Sequence, residues 1–263
     1  QRGRYPSAYQ EKITVLHDGI DTARVAPDAN ARLSLAGASF TLGDHVIHSP
    51  PVTLSAKDRV VTFVARSLEP YRGIHQFLRA LPELLAQDPQ CKVVLVGKLE
   101  PSYGPAPVAT AQASAAGGQT WFSKYLTEAV EKMADPQALS RVYLTGWVDY
   151  ESYLRVLQVS SAHVYLTVPF ILSWSVLEAL SAGCLVVAGA VEPVGEVITD
   201  GQTGLLVPFD QPAVIAKKVL WALQNRHNPK SIQMRNQARE FAVKNFDFQS
   251  RVLPWHQEFL SRH

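Results

Sequence analysis

The stretch PFILSWSVLEALSAGC, residues 169–184, holds the side chains best spaced for chemistry. A short apolar strand, His163–Leu166, precedes it, and a helix is predicted to begin between Ser173 and Ser175. A serine there can accept hydrogen bonds from exposed first-turn amides, and a helix N-terminus behind a parallel strand readily binds anions. Glu178, in about the first turn, suits the hydroxyl groups of a ribose or sugar. The plainer alternative is that Glu178 only complements the helix dipole.

Two arginines form a second group of candidates. Arg66 ends a strand predicted at Val60–Ala65, and Arg72 directly precedes a helix. Ligands of open α/β sheets bind beyond the carboxyl ends of the strands. Both guanidinium groups should therefore face the crevice that also contains Glu178, where each could grip a diphosphate bidentately. The alternative is a pair of surface arginines neutralised by Glu69.

A long segment rich in Pro, Ala and Gly, Lys98–Thr120, follows the second predicted strand. Loops of this length without structure are commonly functional lids or disordered linkers. Tyr103 is its best candidate for contacting a ligand, and a linker without contacts is the alternative.

The elements that must position these residues alternate along the chain. Continuous apolar runs of four to six residues indicate strands buried on both faces, as in a parallel sheet. We predict six: Val60–Ala65, Val93–Gly97, Val142–Thr145, His163–Leu166, Leu185–Ala188 and Gly204–Val207. Helices are predicted between or after them at Ile74–Gln87, Tyr150–Ser160, Val176–Ala182 and Pro212–Gln224. This alternation predicts an α/β fold with a Rossmann-like, doubly wound parallel sheet.

Two flanking regions depart from this alternation. Residues 1–58 contain a strand-like piece, Ile13–His17, and a predicted hairpin that pairs Ala31–Leu35 with Ser39–Leu42. Residues 229–263 are predicted as C-terminal helices, in which Trp255 and Phe259 share an apolar face. The division is therefore 1–58 as hinge strand, hairpin and linker, 59–228 as the sheet domain, and 229–263 as a helical tail.

Composition excludes several classes of function. The chain has 263 residues, 47% hydrophobic, with 25 basic and 23 acidic side chains for a net charge of +2. Such near-neutrality argues against nucleic-acid binding. No apolar run approaches the roughly 20 residues of a membrane span. Two distant cysteines, Cys91 and Cys184, fit buried reduced thiols in a cytosolic compartment.

Common catalytic and cofactor motifs are also absent from the sequence. There is no GxGxxG after the first predicted strand, no Walker motif, no HExxH and no GxSxG. We therefore expect no metal and no bound cofactor.

The stretch Arg59–Asn225 resembles the C-terminal, nucleotide-binding half of GT-B glycosyltransferases, specifically the large retaining group called family four. The matching pieces, in order, are FVARSLEPYRG, VVLVG, VYLTGWVDYESYLRVLQVSSAHVYLTVPF, SWSVLEALSAGCLVVAG, EVITDG and TGLLVPF. The segment LHDGID resembles the hinge strand between the two halves of such enzymes. The resemblance implies that an acceptor-binding N-terminal domain precedes this region, which agrees with a chain that begins at Gln1.

The resemblance also implies roles for particular residues. Arg66 and Arg72 would hold the donor diphosphate, with Arg72 where Lys is more usual, and Glu178 would bind ribose hydroxyls. Backbone around Gly146–Asp149 would meet the base, and the turn at Leu172–Val176 would meet phosphate and sugar. The donor-binding set implied in this way is Gly73, Gly97, Tyr103, Gly146, Val148, Ser173, Trp174, Ser175, Val176 and Leu177.

One position departs from the family. Its members usually carry two glutamates eight residues apart, whereas Phe170 stands eight residues before Glu178. The function implied is still transfer of a sugar from UDP- or GDP-sugar, with retention, to a glycan or lipid-linked acceptor in polysaccharide biosynthesis. The alternatives are a non-catalytic nucleotide-sugar-binding module and a GT-B epimerase or phosphorylase. We expect a cytoplasmic protein at the inner face of the membrane, with any peripheral membrane contact mostly in the N-terminal half, and an isolated C-terminal half without activity.

Overall fold

The computed structural model describes residues 2–42, 44–102, 120–169 and 171–261. Its strands are β1 Arg32–Leu35, β2 Ala38–Leu42, β3 His45–Ser49, β4 Val52–Ser55, β5 Val60–Ser67, β6 Lys92–Lys98, β7 Val142–Gly146, β8 Ala162–Tyr165, β9 Val186–Gly189 and β10 Leu205–Val207. The helices are α1 Ser7–Gln10, α2 Ile74–Gln87, α3 Trp121–Val130, α4 Tyr150–Gln158, α5 Trp174–Ser181, α6 Glu192–Gly195, α7 Pro212–Gln224, α8 Pro229–Phe246 and α9 Leu253–Ser261. Short 3-10 turns lie at Arg2–Arg4, Pro70–Arg72 and Pro136–Arg141, and a π-helical turn lies at Phe248–Val252.

Six parallel strands form the central sheet in the order β10-β9-β8-β5-β6-β7. From β5 the chain winds outward through β6 to β7, and then returns to the other side of β5 to form β8. The order of the strands therefore reverses between β5 and β8. A doubly wound sheet binds its ligands at such a switch point.

Helices cover both faces of this sheet. On one face α2 and α7 pack against the strands, with Phe63 of β5 stacked on Phe77 of α2 at 5.5 Å between ring centroids. On the other face α4, α5 and α8 form a second apolar layer. Strands with both faces buried must be apolar throughout, which explains the continuous Val and Leu runs of the sequence.

The sequence predicted this domain closely. All six strands of the sheet are confirmed, and α2 and α7 have the predicted bounds residue for residue. The other two predicted helices correspond to α4 and α5, whose ends lie within two residues of the predicted ends. The apolar residues that recur at helical spacing along α2 are all buried: Phe77, Leu78, Leu81, Leu84 and Leu85.

The N-terminal region differs from the prediction in its pairing. The predicted hairpin is wrong: β1 pairs with β4, and β2 pairs with β3, both antiparallel. Residues 36–37 instead link the β1–β4 ladder to the β2–β3 ladder.

The predicted strand at Ile13–His17 is also wrong. No strand is formed there, and the neighbouring Ile20 exchanges backbone hydrogen bonds with Phe246 and Phe248, at 2.8 and 2.9 Å. The hinge-like segment is thus tied to the C-terminal tail. That tail contains α8 and α9 as predicted, with the break at Asp247. Among the described residues, no helix is both long and apolar enough to cross a membrane.

Candidate functional site

A small cavity lies beyond the carboxyl ends of β5 and β8, at the switch point of the sheet. Its volume is about 90 Å³. The lining residues are Val64, Ala65, Arg66, Arg72, Tyr165, Leu166, Ser173 and Ser175. The structure thus brings both candidate arginines to the start of α5, although more than 100 residues separate Arg66 from Ser173 in the sequence.

The two arginines reach this cavity from different elements. Arg66 is exposed and lies near the end of β5, and it makes no hydrogen bond or ion pair with any described residue. No ion pair joins Arg66 to Glu69 in the described part of the chain, so the alternative of arginines paired with Glu69 has no support at Arg66. Arg72 is half-buried at the end of the 3-10 turn Pro70–Arg72. Glu69 is buried and accepts a hydrogen bond from the backbone N–H of Ser102 at 2.9 Å.

The N-terminus of α5 is capped as the sequence predicts. Ser173 is the N-cap, and its Oγ accepts from the backbone N–H of Ser175 at 3.4 Å. The backbone N–H of Ser173 donates to the hydroxyl of Tyr165 at 3.2 Å, which ties this helix start to the end of β8. Val176 and Leu177 are buried in the core, so their side chains anchor α5 and leave only their backbone for a ligand.

Two tyrosines of α4 hold the carboxylate of Glu178. The hydroxyl of Tyr150 donates to Oε1 and that of Tyr153 to Oε2, both at 2.7 Å. Glu178 is 9% exposed, and burial raises the pKa of both phenols, so they remain donors at neutral pH. Each carboxylate oxygen has two acceptor positions, and the tyrosines occupy one on each. The carboxylate is therefore held in one orientation, with one acceptor position left on each oxygen.

Sequence reasoning missed this tyrosine pair. Neither Tyr150 nor Tyr153 was among the site residues that the sequence predicted. The available signal was their spacing, because residues three apart lie on the same face of a helix. What the sequence could not supply was the packing of α4 beside α5, which sets their hydroxyls against Glu178.

The turn after β7 lies at the same carboxyl edge of the sheet as this cavity. Gly146 has φ +68°, and no neighbour lies within 4 Å of where a Cβ would stand. Trp147, which the sequence did not single out, is 67% exposed, and Nζ of Lys98 lies 5.1 Å from the centroid of its ring. Val148 is half-buried against the apolar cluster that includes Val156 of α4. Asp149 caps α4, and hydrogen bonds from Ser152 lower the pKa of its carboxyl.

The other predicted site residues have different surroundings. Gly73 has φ +74°, and a Cβ there would stand 2.3 Å from Cβ of Leu166, so this glycine lets α2 pack against the end of β8. A Cβ at Gly97 would stand 2.5 Å from the carbonyl oxygen of Ala65. Trp174 is 60% exposed, and its indole N–H donates to Asp18 at 2.9 Å. Tyr103 and Phe170 lie outside the described residues.

Metal and thiol chemistry receive no support from the described ranges. No group of three or more His, Cys, Asp or Glu side chains converges there as a metal site would require. Cys91 and Cys184 are buried and free, and burial raises the pKa of each thiol to about 12. Both thiols are thus protonated and unreactive at neutral pH.

The switch point of this doubly wound sheet gathers two arginines and a capped helix N-terminus, a combination typical of anion-binding sites. The family model described as Glycosyl transferases group 1 matches residues 48–241. The chain belongs to this family of glycosyltransferases.

Individual relatives agree with this assignment. A phosphatidyl-myo-inositol mannosyltransferase of Mycolicibacterium smegmatis is 28% identical over 167 residues, which are 64% of this chain and 36% of the relative. The chain spans between 33% and 38% of the length of the curated relatives it matches.

Solved structures share the fold. HepE of Anabaena, determined in complex with UDP-glucose, matches with a TM-score of 0.61 at 19% identity, over 78% of this chain and 49% of that one. The C-terminal domain of a group 1 family glycosyl transferase from Francisella tularensis matches with a TM-score of 0.62 at 15% identity, over 88% of this chain and 100% of that one. The fold is thus that of the C-terminal half of GT-B glycosyltransferases.

Proposed function

We propose that this chain is the donor-binding half of a retaining glycosyltransferase that uses a UDP- or GDP-sugar. The observation that carries the proposal is the meeting of Arg66, Arg72 and the Ser173-capped start of α5 around one cavity at the switch point. Two guanidinium groups and a helix N-terminus together suit a diphosphate. The UDP-glucose bound in HepE supports a donor of this class.

Each part of the crevice has a task in this proposal. Arg66 and Arg72 stabilise the leaving diphosphate, because negative charge develops there in the transition state. Glu178, oriented by its two tyrosines, accepts hydrogen bonds from the ribose hydroxyls. The base lies against the turn at Gly146–Val148, where Trp147 offers an exposed aromatic face. The two guanidinium groups supply positive charge at the diphosphate without a metal ion.

The acceptor half completes the enzyme in this proposal. The mannosyltransferase relative is named for a phosphatidylinositol acceptor, which supports a glycan or lipid-linked acceptor for this enzyme as well. We place the reaction at the cytoplasmic face of a membrane, with the acceptor and any membrane contact on a preceding domain. Nuclear magnetic resonance of the product's anomeric proton, with the longer enzyme, would test retention directly.

A second candidate is a non-catalytic module that binds nucleotide sugar. The observation that favours it is Phe170, which stands where the family usually has its first glutamate. Donor binding without hydrolysis or transfer in the longer protein would select this candidate. Turnover of the donor would exclude it.

Calorimetric titration with UDP, GDP and ADP tests the donor site in this chain. We expect one nucleotide to bind selectively, and Glu178→Gln to weaken that binding about tenfold, the loss expected for one hydrogen bond to a charged group. Glu240→Gln, an exposed carboxylate on α8, is the matched control and should bind as the unchanged chain does. Equal affinity in Glu178→Gln, or no binding of any nucleotide, would contradict the proposal.

A further inference from the structure

A second polar cavity lies at the opposite edge of the sheet, where β5, β8 and β9 begin. Its volume is about 240 Å³. Three arginines line it, Arg226, Arg235 and Arg239, together with the polar side chains of Gln158, Ser160 and Asn236. This cavity and the proposed donor crevice therefore lie at opposite ends of the strands.

The positive charge of this cavity has no carboxylate partner in the described part of the chain. None of the three arginines makes an ion pair there. Asp28 also lines the cavity, but its carboxylate already accepts from Arg155 at 2.7 Å. Arg235 and Arg239 lie four residues apart on α8, a spacing at which like charges repel.

The three arginines do different work. Arg239 donates to the backbone carbonyls of Val25, Ser181 and Thr22, so it fixes the N-terminal segment against α5. Arg235 makes one such bond, to the carbonyl of Arg226 at 2.8 Å, and Arg226 makes one, to the carbonyl of Leu223 at 3.2 Å.

The donors of Arg226 and Arg235 are therefore mostly unused. A guanidinium group has five N–H donors, and Nε of Arg226 is buried without a hydrogen-bond partner. Burial also lowers the pKa of Arg235, as expected of a buried cation that lacks a counter-ion.

The negative C-termini of the nearby helices do not fully balance the positive charge of the three arginines. The carbonyls contacted by Arg226 and Arg239 belong to the ends of α7 and α5, and α4 also ends at the cavity. Each helix end carries roughly half a negative charge. Three such ends offset about half of three full positive charges, and an excess remains.

We propose that this cavity binds a small molecule that bears a phosphate group, held by Arg226 and Arg235. Guanidinium groups match phosphate oxygens bidentately, and the cavity is slightly smaller than those that hold drug-sized ligands. A phosphate monoester or inorganic phosphate therefore fits better than a nucleotide sugar. Because the site lies outside the donor crevice, the ligand would act as a regulator or a stabilising ion.

Calorimetry and thermal unfolding with inorganic phosphate test this site. The donor crevice is first blocked, either by saturating the 263-residue chain with its nucleotide or, if no nucleotide binds, by using Arg66→Gln/Arg72→Gln. We expect phosphate to bind and to raise the unfolding temperature. Arg226→Gln/Arg235→Gln should weaken this binding at least about tenfold, because charge-assisted hydrogen bonds to the phosphate are lost. Arg251→Gln, on the exposed π-helical turn, is the matched control. Glucose 6-phosphate and vesicles containing an anionic phospholipid then distinguish a free metabolite from a lipid headgroup.

A measurement on the unchanged chain covers the case in which the double variant does not fold. Phosphate should shift the side-chain Nε–Hε resonances of Arg226 and Arg235 but not that of Arg251. Absence of phosphate binding, binding that survives in the double variant, or shifts confined to Arg66 and Arg72 would each overturn the proposal.

Discussion

At the scale of single residues, the carboxylate of Glu178 is the best-defined group of the proposed donor site. Its two oxygens each accept from one tyrosine of α4, Tyr150 or Tyr153. A buried carboxylate without donors would be costly, so the tyrosines both stabilise the charge and fix its direction. Tyr153 thus acts as a positioning residue for the proposed contact with ribose.

Replacing Tyr153 with Phe tests this role. One buried carboxylate oxygen then loses its donor, which should lower the free energy of unfolding by about 1–3 kcal/mol. The nucleotide that binds the unchanged chain should bind about tenfold more weakly, because Glu178 is no longer held in one orientation. Denaturant unfolding and calorimetry measure the two effects separately.

Tyr125→Phe is the matched control. Tyr125 is half-buried on α3 and packs its ring under the guanidinium of Arg79, 5.0 Å from Cζ to the centroid, a contact that Phe retains. This variant should change neither quantity. Nucleotide affinity that stays unchanged in Tyr153→Phe would leave the tyrosine with a structural role only.

A second prediction for single residues concerns the stability cost of replacing Gly73. It shares a positive φ with Gly201, +74° against +73°, but a Cβ at Gly201 would meet nothing within 4 Å. Gly201→Ala should therefore cost only the strain of the left-handed conformation, about 1–2 kcal/mol. Gly73→Ala adds a collision with Leu166 and should cost about 1–3 kcal/mol more. Equal unfolding free energies for the two variants would show that the backbone before α2 can shift to avoid Leu166 without a loss of stability.

At the scale of elements, burial decided which parts of the fold could be predicted. The strands of the central sheet are buried on both faces, so their apolar runs are visible in the sequence without knowledge of their neighbours. The ladders β1–β4 and β2–β3 are short and partly exposed, and their pairing depends on which strands meet. A sequence pattern carries little of that information, and the predicted hairpin was wrong for this reason.

The same distinction applies to the site. Arg66, Arg72 and Ser173 could be proposed because each follows from its position at the end of a strand or the start of a helix. The tyrosines that hold Glu178 and the exposed face of Trp147 depend on how helices and turns pack together. Residues of that kind become visible only when the three-dimensional arrangement is known.

His163 of β8 supplies a prediction about the sheet. It is fully buried, its Nδ1 lies 2.9 Å from Oγ1 of Thr62, and burial lowers its pKa to about 4. The unfolded chain, with a histidine pKa near 6.5, binds more protons between pH 4 and 6.5. The stability contributed by neutral His163 is therefore complete above pH 6.5 and decreases as the pH falls toward 4, by on the order of 3 kcal/mol.

Unfolding of the chain and of His163→Gln across this pH range measures that contribution. His75, whose pKa burial also lowers to about 4, remains in both proteins, so its contribution cancels in the comparison. The variant should show the smaller loss of stability on acidification. Parallel curves for the two proteins would mean that His163 does not titrate with unfolding.

At the scale of the whole molecule, the segment around Ile20 is joined to the region around Asp247, although more than 200 residues separate them in the sequence. The segment around Ile20 bonds to the chain on both sides of Asp247, and Thr22 donates to the carboxylate of Asp247. The nearby Asp18 accepts a hydrogen bond from the indole N–H of Trp174 at the start of α5. The hinge-like segment therefore contacts both the tail and the helix that begins the proposed donor site.

The proposed donor site lies at the carboxyl edge of the sheet. Arg66, Arg72 and the start of α5 converge there, and we propose that they bind a diphosphate rather than stabilise the sheet. The measurement that tests this most directly compares a nucleoside diphosphate with its nucleoside, by calorimetry, in the unchanged chain and in Arg66→Gln/Arg72→Gln. Arg251→Gln again serves as the control.

We expect the diphosphate to bind about 100-fold more tightly than the nucleoside, because it gains two charge-assisted contacts. The double variant should lose most of that preference while its affinity for the nucleoside stays the same. Equal affinities for diphosphate and nucleoside, or a preference that survives in the double variant, would contradict the assignment of this crevice to a nucleotide-sugar donor.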